Sequence, residues 1–490
     1  MKYLLGIDFG GGSSKATLLS HEGKVVATAV TEYPTHYPKA GYAEQDPNDW
    51  YNAVKVGITK LIGESKVSAA DITAVCLDAA THTAVVMDEN FNVIMPSIYW
   101  TDTRSIKEAE YLKENFGNTI YQKCLHQPST IWTLPQLLWI KNNLPDTFGK
   151  IKKILFAKDY VRHMLCGDYA TDFIEAEGSM LFDFGTLSWS KELCDILNLD
   201  VSLLPEVKAP TDIAGTITKQ ASKDTGLLEG TTVIMGSTDT VMEVFASGAV
   251  KKGQMTLKLA TAGRICIVTD KFYPDKNLVN YSHLVKGLCY PGTATKACAS
   301  SYRWYRDTFG GSYKDLDTGA KDTPIGADGL MYHPYLNGEL TPYNDPKLCA
   351  SFTGVRASHT KGHFSRAVME GIGYSLLDCK NAINEIGIEM GDTATIIGGG
   401  AASPIWRQIV ADMLNIKLIT TNNSDSSFGS AMTAGVATGV FPSFEAAVEK
   451  CSEKVSETLP NMENHKKYLA LYADYKKIHD ALAPIYQNRA

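Results

Sequence analysis

The N-terminal stretch MKYLLGIDFGGGSSKATLLSHEGKVVATAV most limits what this chain can become. Residues 3 to 7 form an apolar run of the length of a buried strand, and KATLLS and VVATAV repeat that character. The connections between them are short and contain glycine. Such strands predict an antiparallel meander, with Gly10-Gly11-Gly12 at the tip of its first hairpin. Residues 46–63, DPNDWYNAVKVGITKLIG, set Trp50, Val54, Val56, Ile58 and Leu61 between an Asp/Pro start and a closing Gly63. That pattern predicts a helix packed on the meander. ITAVCLD then reads as another buried strand, and the alternation of strands and helices predicts an α/β fold.

The same ingredients return downstream. MTLKLATAGRICIVT, residues 255–269, repeats strand, small-residue tip and strand, and TATIIGGGAASPIWRQIVADML repeats strand, tight turn and helix. This duplication of architecture without residue identity predicts two similar domains, 1–243 and 244–490, each offering a hairpin tip to a shared cleft. No low-complexity linker separates them, so a shared hinge and closure on a ligand are expected. A chain of 490 residues has ample length for two cores.

Composition removes several classes. With 47 basic and 54 acidic residues well mixed and a net charge of −7, the chain lacks the basic footprint of a nucleic-acid binder. Its ten cysteines form no Cys-x-x-Cys and no zinc-spaced cluster, and are read as reduced, mostly buried thiols. No apolar run reaches the ~18 residues of a membrane span, and the N-terminus enters a strand rather than a charged-then-apolar leader. A cytoplasmic protein is expected.

Four motifs carry chemistry. The backbone N–H groups of Gly10-Gly11-Gly12-Ser13-Ser14-Lys15 are uncrowded by side chains, as a phosphate cradle requires, although a ligand-free turn is the better explanation of the tip alone. It is not a P-loop, because Ser14 precedes Lys15 and a strand follows. Asp8 shifts the balance: a carboxylate beside an anion cradle repels phosphate unless a divalent cation lies between, and magnesium uses one or two carboxylates plus substrate phosphates. GSTDTVMEVFASG puts Ser237, Thr238 and Asp239 at a helix start, where they are either simple caps or include a base that accepts a hydroxyl proton.

In TIIGGGAASPIWRQ a strand runs through glycines to Ser403 as N-cap and Pro404 at the first helical position. The dinucleotide fingerprint is imperfect: Ser403 stands where a small residue belongs, and the next acid, Asp425, lies too far on. The turn is an adenine or ribose site, or only a tight connection. Finally, His82 follows one strand, and Trp100, Asp102 and Arg104 follow another. A ring and polar groups at strand ends suit a sugar pocket; His82 alone is better read as a satisfied, partly buried histidine, and in this company the two readings are even.

Taken in order, GIDFGGGSSK, AKDYVRHMLCGDYATDFIEAEGSMLFD, GSTDT, HPYLNGELTPYNDP and FTGVRASHTKGHFSRAVMEGIGYSLLD resemble the FGGY carbohydrate kinases, the xylulokinases among them most closely. The likeness runs from about residue 3 to about residue 440. It implies two actin-like, ribonuclease H-like ATPase domains around a central cleft, ATP with Mg2+, and transfer of the γ-phosphoryl group to a hydroxyl of a ketopentose such as D-xylulose. By the resemblance, Asp8 is metal-associated, Gly10 to Lys15 form the first phosphate loop and Asp239 is the catalytic base. Thr261, Ala262 and Gly263 form the second phosphate loop, and Gly398, Gly399, Gly400 and Ala401 the adenosine turn. Thr81, His82, Trp100, Thr101 and Asp102 fall in the sugar pocket with Asp239. The implied partner is a small-molecule sugar, with no nucleic acid and no membrane, in a homodimer.

The chain also departs from the family pattern. Gly10-Gly11-Gly12 and Ala260-Thr261-Ala262 replace Gly-Thr-Ser in the two loops, so hydroxyl donors must come from Ser13 or Ser14 in the first. Ala80-Thr81 stand for Gln-Met, Thr101 for Asn, and Gln136 for a family lysine. A wider pocket with altered hydrogen-bond partners is therefore expected to handle D-xylulose less well than another ketose, polyol or aldonate. A gluconate or other polyol kinase is the alternative within the family. Actin-like chaperone or filament ATPases are the alternative outside it, and a dehydrogenase is disfavoured by the imperfect fingerprint.

Overall fold

The computed structural model describes residues 1–488, which divide into two compact units. The first comprises Met1–Gly248, Tyr281–Lys286 and Asn423–Ser452; the second comprises Ala249–Asn280, Gly287–Asn422 and the chain from Glu453 onward.

The meander forms as its turns dictate. Strands β1 (Tyr3–Phe9), β2 (Ser13–Ser20) and β3 (Val25–Glu32) pair antiparallel, and β4 (Ile72–Ala79) joins β1 in parallel. With β5 (Ile213–Thr216) and β6 (Thr232–Thr238) they make a six-stranded sheet in the order β5-β6-β4-β1-β2-β3. Helix α1 (Pro47–Ser65) covers one face, starting at Asp46, whose side chain accepts from the Asn48 N–H at 2.9 Å. Trp50, Val54, Ile58 and Leu61 are buried, but Val56 is exposed, because a residue two positions from Val54 falls off the apolar stripe of a 3.6-residue helix. Nor does Gly63 end the helix; it runs to Ser65, and Lys66 closes it in the left-handed conformation at φ 57°.

The second unit repeats the plan. Its strands β7 (Met255–Leu259), β8 (Gly263–Ile267), β9 (Gly292–Ala294), β10 (Thr393–Ile397), β11 (Lys417–Thr421) and β12 (Lys454–Thr458) lie in the order β9-β8-β7-β10-β11-β12. As in the first sheet, an antiparallel meander of three strands is extended by two parallel strands and closed by an antiparallel edge. Only the edge differs in connectivity: β5 precedes β6, whereas β12 follows β11. The duplication expected from the sequence is thus topological.

Four further helices position the first unit's polar residues: α2 (Ala157–Cys166), α3 (Phe173–Glu177), α4 (Asp239–Ala246) and α5 (Ser426–Ala437). Helix α5 comes from the far end of the chain and lies directly on β1. A Cβ at Gly6 would stand 1.9 Å from the Ser427 carbonyl oxygen, and one at Gly429 would stand 2.2 Å from that of Met242 in α4. Both contacts are backbone against backbone, so neither can yield by moving a side chain. Among the described residues the ten cysteines form no disulfide, and Cys349 is the one exposed among them. Among the described residues, no helix is long and apolar enough to cross a membrane.

Gly6→Ala should therefore push α5 off the sheet. The expected cost is about 3 kcal/mol or more, at the upper end for overpacked sites, read as a fall in the lowest thermal unfolding transition. An unchanged midpoint would show that the approach at Gly6 carries no constraint.

Candidate active site

In the first unit the sheet register gathers polar residues at strand ends. Lys15 of β2 lies opposite Asp8 of β1, Asp8 is in register with Asp78 of β4, and Asp78 with Ser237 of β6. A row of two carboxylates, an ammonium and a hydroxyl thus crosses four neighbouring strands. Residue 239 follows at once, at the first position of α4. Asp239, Glu243 and Asp425 lie near enough for their charges to act on Asp8.

The helix from the chain's far end completes this row. Ser430 of α5 donates to Asp78 at 2.5 Å, and Asp425 caps α5 by accepting from the Phe428 N–H while pairing with Lys15 at 3.0 Å. Asp425 therefore belongs to the first unit, whereas the glycine turn at 398–401 belongs to the second. Burial, reinforced by the charges of Asp239, Glu243 and Asp425, pushes the Asp8 carboxyl up to about 7. Burial likewise holds Asp78 well above the usual carboxylate range, with Asp8 adding to it. Asp78 was not anticipated, although its place at a strand end beside Asp8 is the same signal that singled out Asp8.

The hairpin tip is open. A Cβ on Gly10, Gly11 or Gly12 would meet nothing closer than 3.6 Å, and none of the three glycines has a positive φ. Folding therefore does not require glycine at these positions; the bare backbone leaves room for something to approach. Of the two hydroxyls that follow, Ser13 is partly exposed, whereas Ser14 is buried with its Oγ unpartnered. Strand alternation turns Ser14 inward, which removes its side chain as a donor at the tip. Among the described residues no three His, Cys, Asp or Glu are grouped to hold a metal ion. Magnesium needs only one or two protein carboxylates when phosphates supply the other oxygens, and Asp8 with Asp78 beside an open tip fits that donor set.

Asp239 is not a cap, and neither are its neighbours. Thr238 occupies the N-cap position without a side-chain bond, and Ser237 donates its hydroxyl to Asp172 at 2.8 Å instead. Asp239 Oδ1 accepts from the N–H and hydroxyl of Thr240. The strand is bulged just before, where Gly236 has φ 72° and a Cβ would stand 1.9 Å from the Leu77 carbonyl oxygen.

The candidate sugar residues divide. His82 is held in the left-handed conformation at φ 73° from three sides. Its N–H donates to Glu175 Oε1 at 3.0 Å, its carbonyl accepts from Thr133 at 2.9 Å, and Nδ1 lies 2.9 Å from the Gly178 carbonyl. Trp132, His126 and Tyr281 form aromatic contacts around it, with the Tyr281 hydroxyl 3.4 Å from Nε2. Trp100 is 40% exposed and Thr101 is exposed. Asp102, only 1% exposed, has its carboxylate filled by Arg104 and the Ala43 N–H. Arg104 also pairs with Glu44 and lies over the rings of Tyr42 and Trp139. Ala80 is buried with Ala43 and Tyr99, while Thr81 is partly exposed.

In the second unit the tip Thr261-Ala262-Gly263 and the turn Gly398–Ala401 are neighbours. A Cβ on Gly398 would strike the Leu259 carbonyl at 2.6 Å, and one on Gly400 would strike Leu259 and Trp406. These two glycines are required by packing, whereas Gly399 faces open space. The Thr261 carbonyl accepts from the Cys298 N–H and the Ser300 hydroxyl, and Ser403 caps the helix Pro404–Leu414 as expected.

Comparison with known proteins assigns the family. Models of the N-terminal and C-terminal domains of the FGGY family of carbohydrate kinases match residues 3–246 and 268–438. The chain is 32% identical to xylulose kinase of Bacillus subtilis (strain 168) over 484 residues, 98% of this chain and 97% of that one. Two solved structures, each aligned over 99% of both chains, are similar to it: ligand-bound xylulose kinase from Lactobacillus acidophilus (TM-score 0.93, 26% identity) and gluconate kinase from Lactobacillus acidophilus (TM-score 0.92, 27% identity). The two mixed sheets are accordingly the actin-like domains of such kinases. The chain belongs to the FGGY family of carbohydrate kinases, phosphotransferases that use ATP.

Proposed function

We propose that this kinase transfers the γ-phosphoryl group of ATP to a hydroxyl of a ketopentose such as D-xylulose, with Asp239 receiving the hydroxyl proton. The observation that carries this reading is the row Lys15–Asp8–Asp78–Ser237, which ends two residues before Asp239. So many carboxylates beside an open backbone tip make sense for a magnesium–phosphate partner, with Asp8 as the proposed ligand. When bound, the cation would offset phosphate charge that these carboxylates would otherwise repel. Asp239 stands at the first position of α4, where the fixed turn aims its carboxylate, and phosphoryl transfer depends on positioning more than on proton abstraction.

The open tip Gly10–Gly12 and the partly exposed Ser13 are the proposed phosphate contacts of the first unit. Ser14 would act through its backbone, and Lys15 shares its charge with Asp425. In the second unit Thr261, Ala262 and Gly263 are proposed for phosphate, and Gly399, Gly400 and Ala401 for adenosine, with Gly399 the open position. For the sugar we propose Thr81, His82, Trp100 and Thr101, the Trp100 ring lying on an apolar sugar face. With its carboxylate filled, Asp102 would act by fixing this loop through Arg104.

The groups packed round His82 are aromatic rings, Thr133 and the Glu175 carboxyl, and the loop's cation, Arg104, is spent on Asp102 and Glu44. These suit a neutral sugar better than an aldonate, whose carboxylate asks for a free cation or clustered N–H donors. The similarity to a gluconate kinase keeps that substrate as the second reading.

Asp239→Asn should lower turnover about 10²–10⁴-fold with sugar affinity largely kept, measured by steady-state kinetics and calorimetric binding. Near-normal turnover would reduce Asp239 to a structural role. Gly11→Ala should leave the thermal midpoint unchanged, since its Cβ has room, yet raise the KM for ATP about tenfold by filling the cradle; an unaltered KM would remove the tip from the nucleotide site. In a panel of ketoses, polyols and aldonates assayed for ADP formation, a ketopentose should show the highest kcat/KM. A preference for gluconate would overturn the ketose reading, and ADP formation independent of any sugar would point to an ATPase instead.

A further inference from the structure

The segment AKDYVRHMLCGDYATDFIEAEG touches the site only through Asp172, Glu175 and Gly178, yet it contains a densely charged buried cluster. Lys158, Asp159, Arg162 and Asp172 are fully buried. Lys158 pairs with Asp159 and, at 2.8 Å, with Asp172; Arg162 pairs with Asp159 at 2.7 Å and Asp168 at 2.8 Å. Burial would lower the Lys158 ammonium, but Asp159 and Asp172 outweigh it and hold it above its ordinary value. Such a cluster is costly to bury and strongly destabilising to break, so a purely stabilising purpose is a poor explanation for it.

What the cluster touches is more informative. Arg162 Nη1 donates to the Met235 carbonyl at 2.7 Å, and Asp172 Oδ1 accepts the Ser237 hydroxyl at 2.8 Å. The cluster thereby grips both residues flanking Gly236, the bulge from which the chain enters Asp239. The same Asp172 oxygen caps α3, accepting from the N–H groups of Ile174 and Glu175. Glu175, buried on that short helix, in turn accepts the His82 N–H, and Gly178 at the helix end takes the His82 ring. A Cβ at Gly178 would stand 2.5 Å from His82 Nδ1, so the ring fits only over glycine.

We infer that Asp172 is a positioning residue that ties His82 to the turn bearing Asp239, through Glu175 on one side and Ser237 on the other. This rests on the roles proposed above for His82 and Asp239. A single carboxylate oxygen then sets the distance between the group that faces the sugar and the group that takes its proton. Misplacement of reacting groups by about 1 Å costs on the order of 10²-fold in rate, so a link of this kind is expressed mainly in turnover.

Asp172→Ala would strand Lys158 in the interior, so the test uses the two arms. D-Xylulose and ATP are assayed with Ser237→Ala, Glu175→Ala, Glu175→Gln and the double variant Ser237→Ala/Glu175→Ala, each checked for an unchanged thermal midpoint. Burial holds the Glu175 carboxyl well above its ordinary range in spite of Lys158, so glutamine reproduces both its neutral state and its acceptor oxygen. Ser237→Ala should lower kcat about 10- to 100-fold with KM for sugar within about threefold, and Glu175→Ala should raise that KM about tenfold. Glu175→Gln should restore it. The double variant should depart from the product of the singles by about fivefold or more, because both arms meet at one oxygen. A wild-type kcat in Ser237→Ala, a Glu175→Gln no better than Glu175→Ala, or multiplicative effects in the double would overturn the link. An active Asp239→Asn would instead sink the reading beneath it, so the two failures are separable.

Discussion

The first unit depends on one close approach, that of the α5 backbone to β1 over Gly6. Without a Cβ there, the Ser427 carbonyl and the Ala431 amide rest directly on the strand, and the helix is brought near enough for Ser430 to reach Asp78 and Asp425 to reach Lys15. Gly429 repeats the device against Met242, so the helix that begins at Asp239 is locked to the same element. Residues 423–452 are thus as much a part of the acidic row as residue 8 is, although they are encoded over four hundred residues later.

Two kinds of buried charge lie in this unit, and they differ in balance. Under the Gly236 bulge the charges alternate, with Lys158 and Arg162 set among Asp159, Asp168 and Asp172, and each carboxylate has a cation at hand. At the strand ends they do not: the charges of Asp239 and Glu243 act on Asp8, and those of Asp8 and Asp239 on Asp78, while Lys15 is shared with Asp425. The balanced cluster behaves as scaffold. Burial raises the Asp8 and Asp78 carboxyls and the unbalanced charges add to it, a cost to the fold expected of a site that completes its charge balance with a ligand.

The structure also separates glycines that look alike in sequence. Gly10 to Gly12 have room for a Cβ and Gly399 faces open space, so folding does not demand glycine there, whereas Gly398 and Gly400 are bare because Leu259 and Trp406 leave no room. The sugar-side residues divide in the same way. Trp100 is presented outward, whereas Asp102 is consumed by Arg104 and the Ala43 amide, so two residues on either side of Thr101 take opposite parts.

Local patterns made much of this legible. The meander, the turn at Ser403-Pro404, the repeated architecture and the motifs of the kinase family follow from turn chemistry, strand length and helix capping, which act between near neighbours in sequence. Asp8 could be singled out because its strand end and the glycines beside it are contiguous. The tertiary structure alone decided that Asp78 stands next to it, that Ser430 and Asp425 return from a distant helix, that Ser14 turns inward, and that Asp172 joins Ser237 to Glu175. Those pairings arise from sheet register and helix packing between segments far apart in the chain, where no local spacing records which residues will meet.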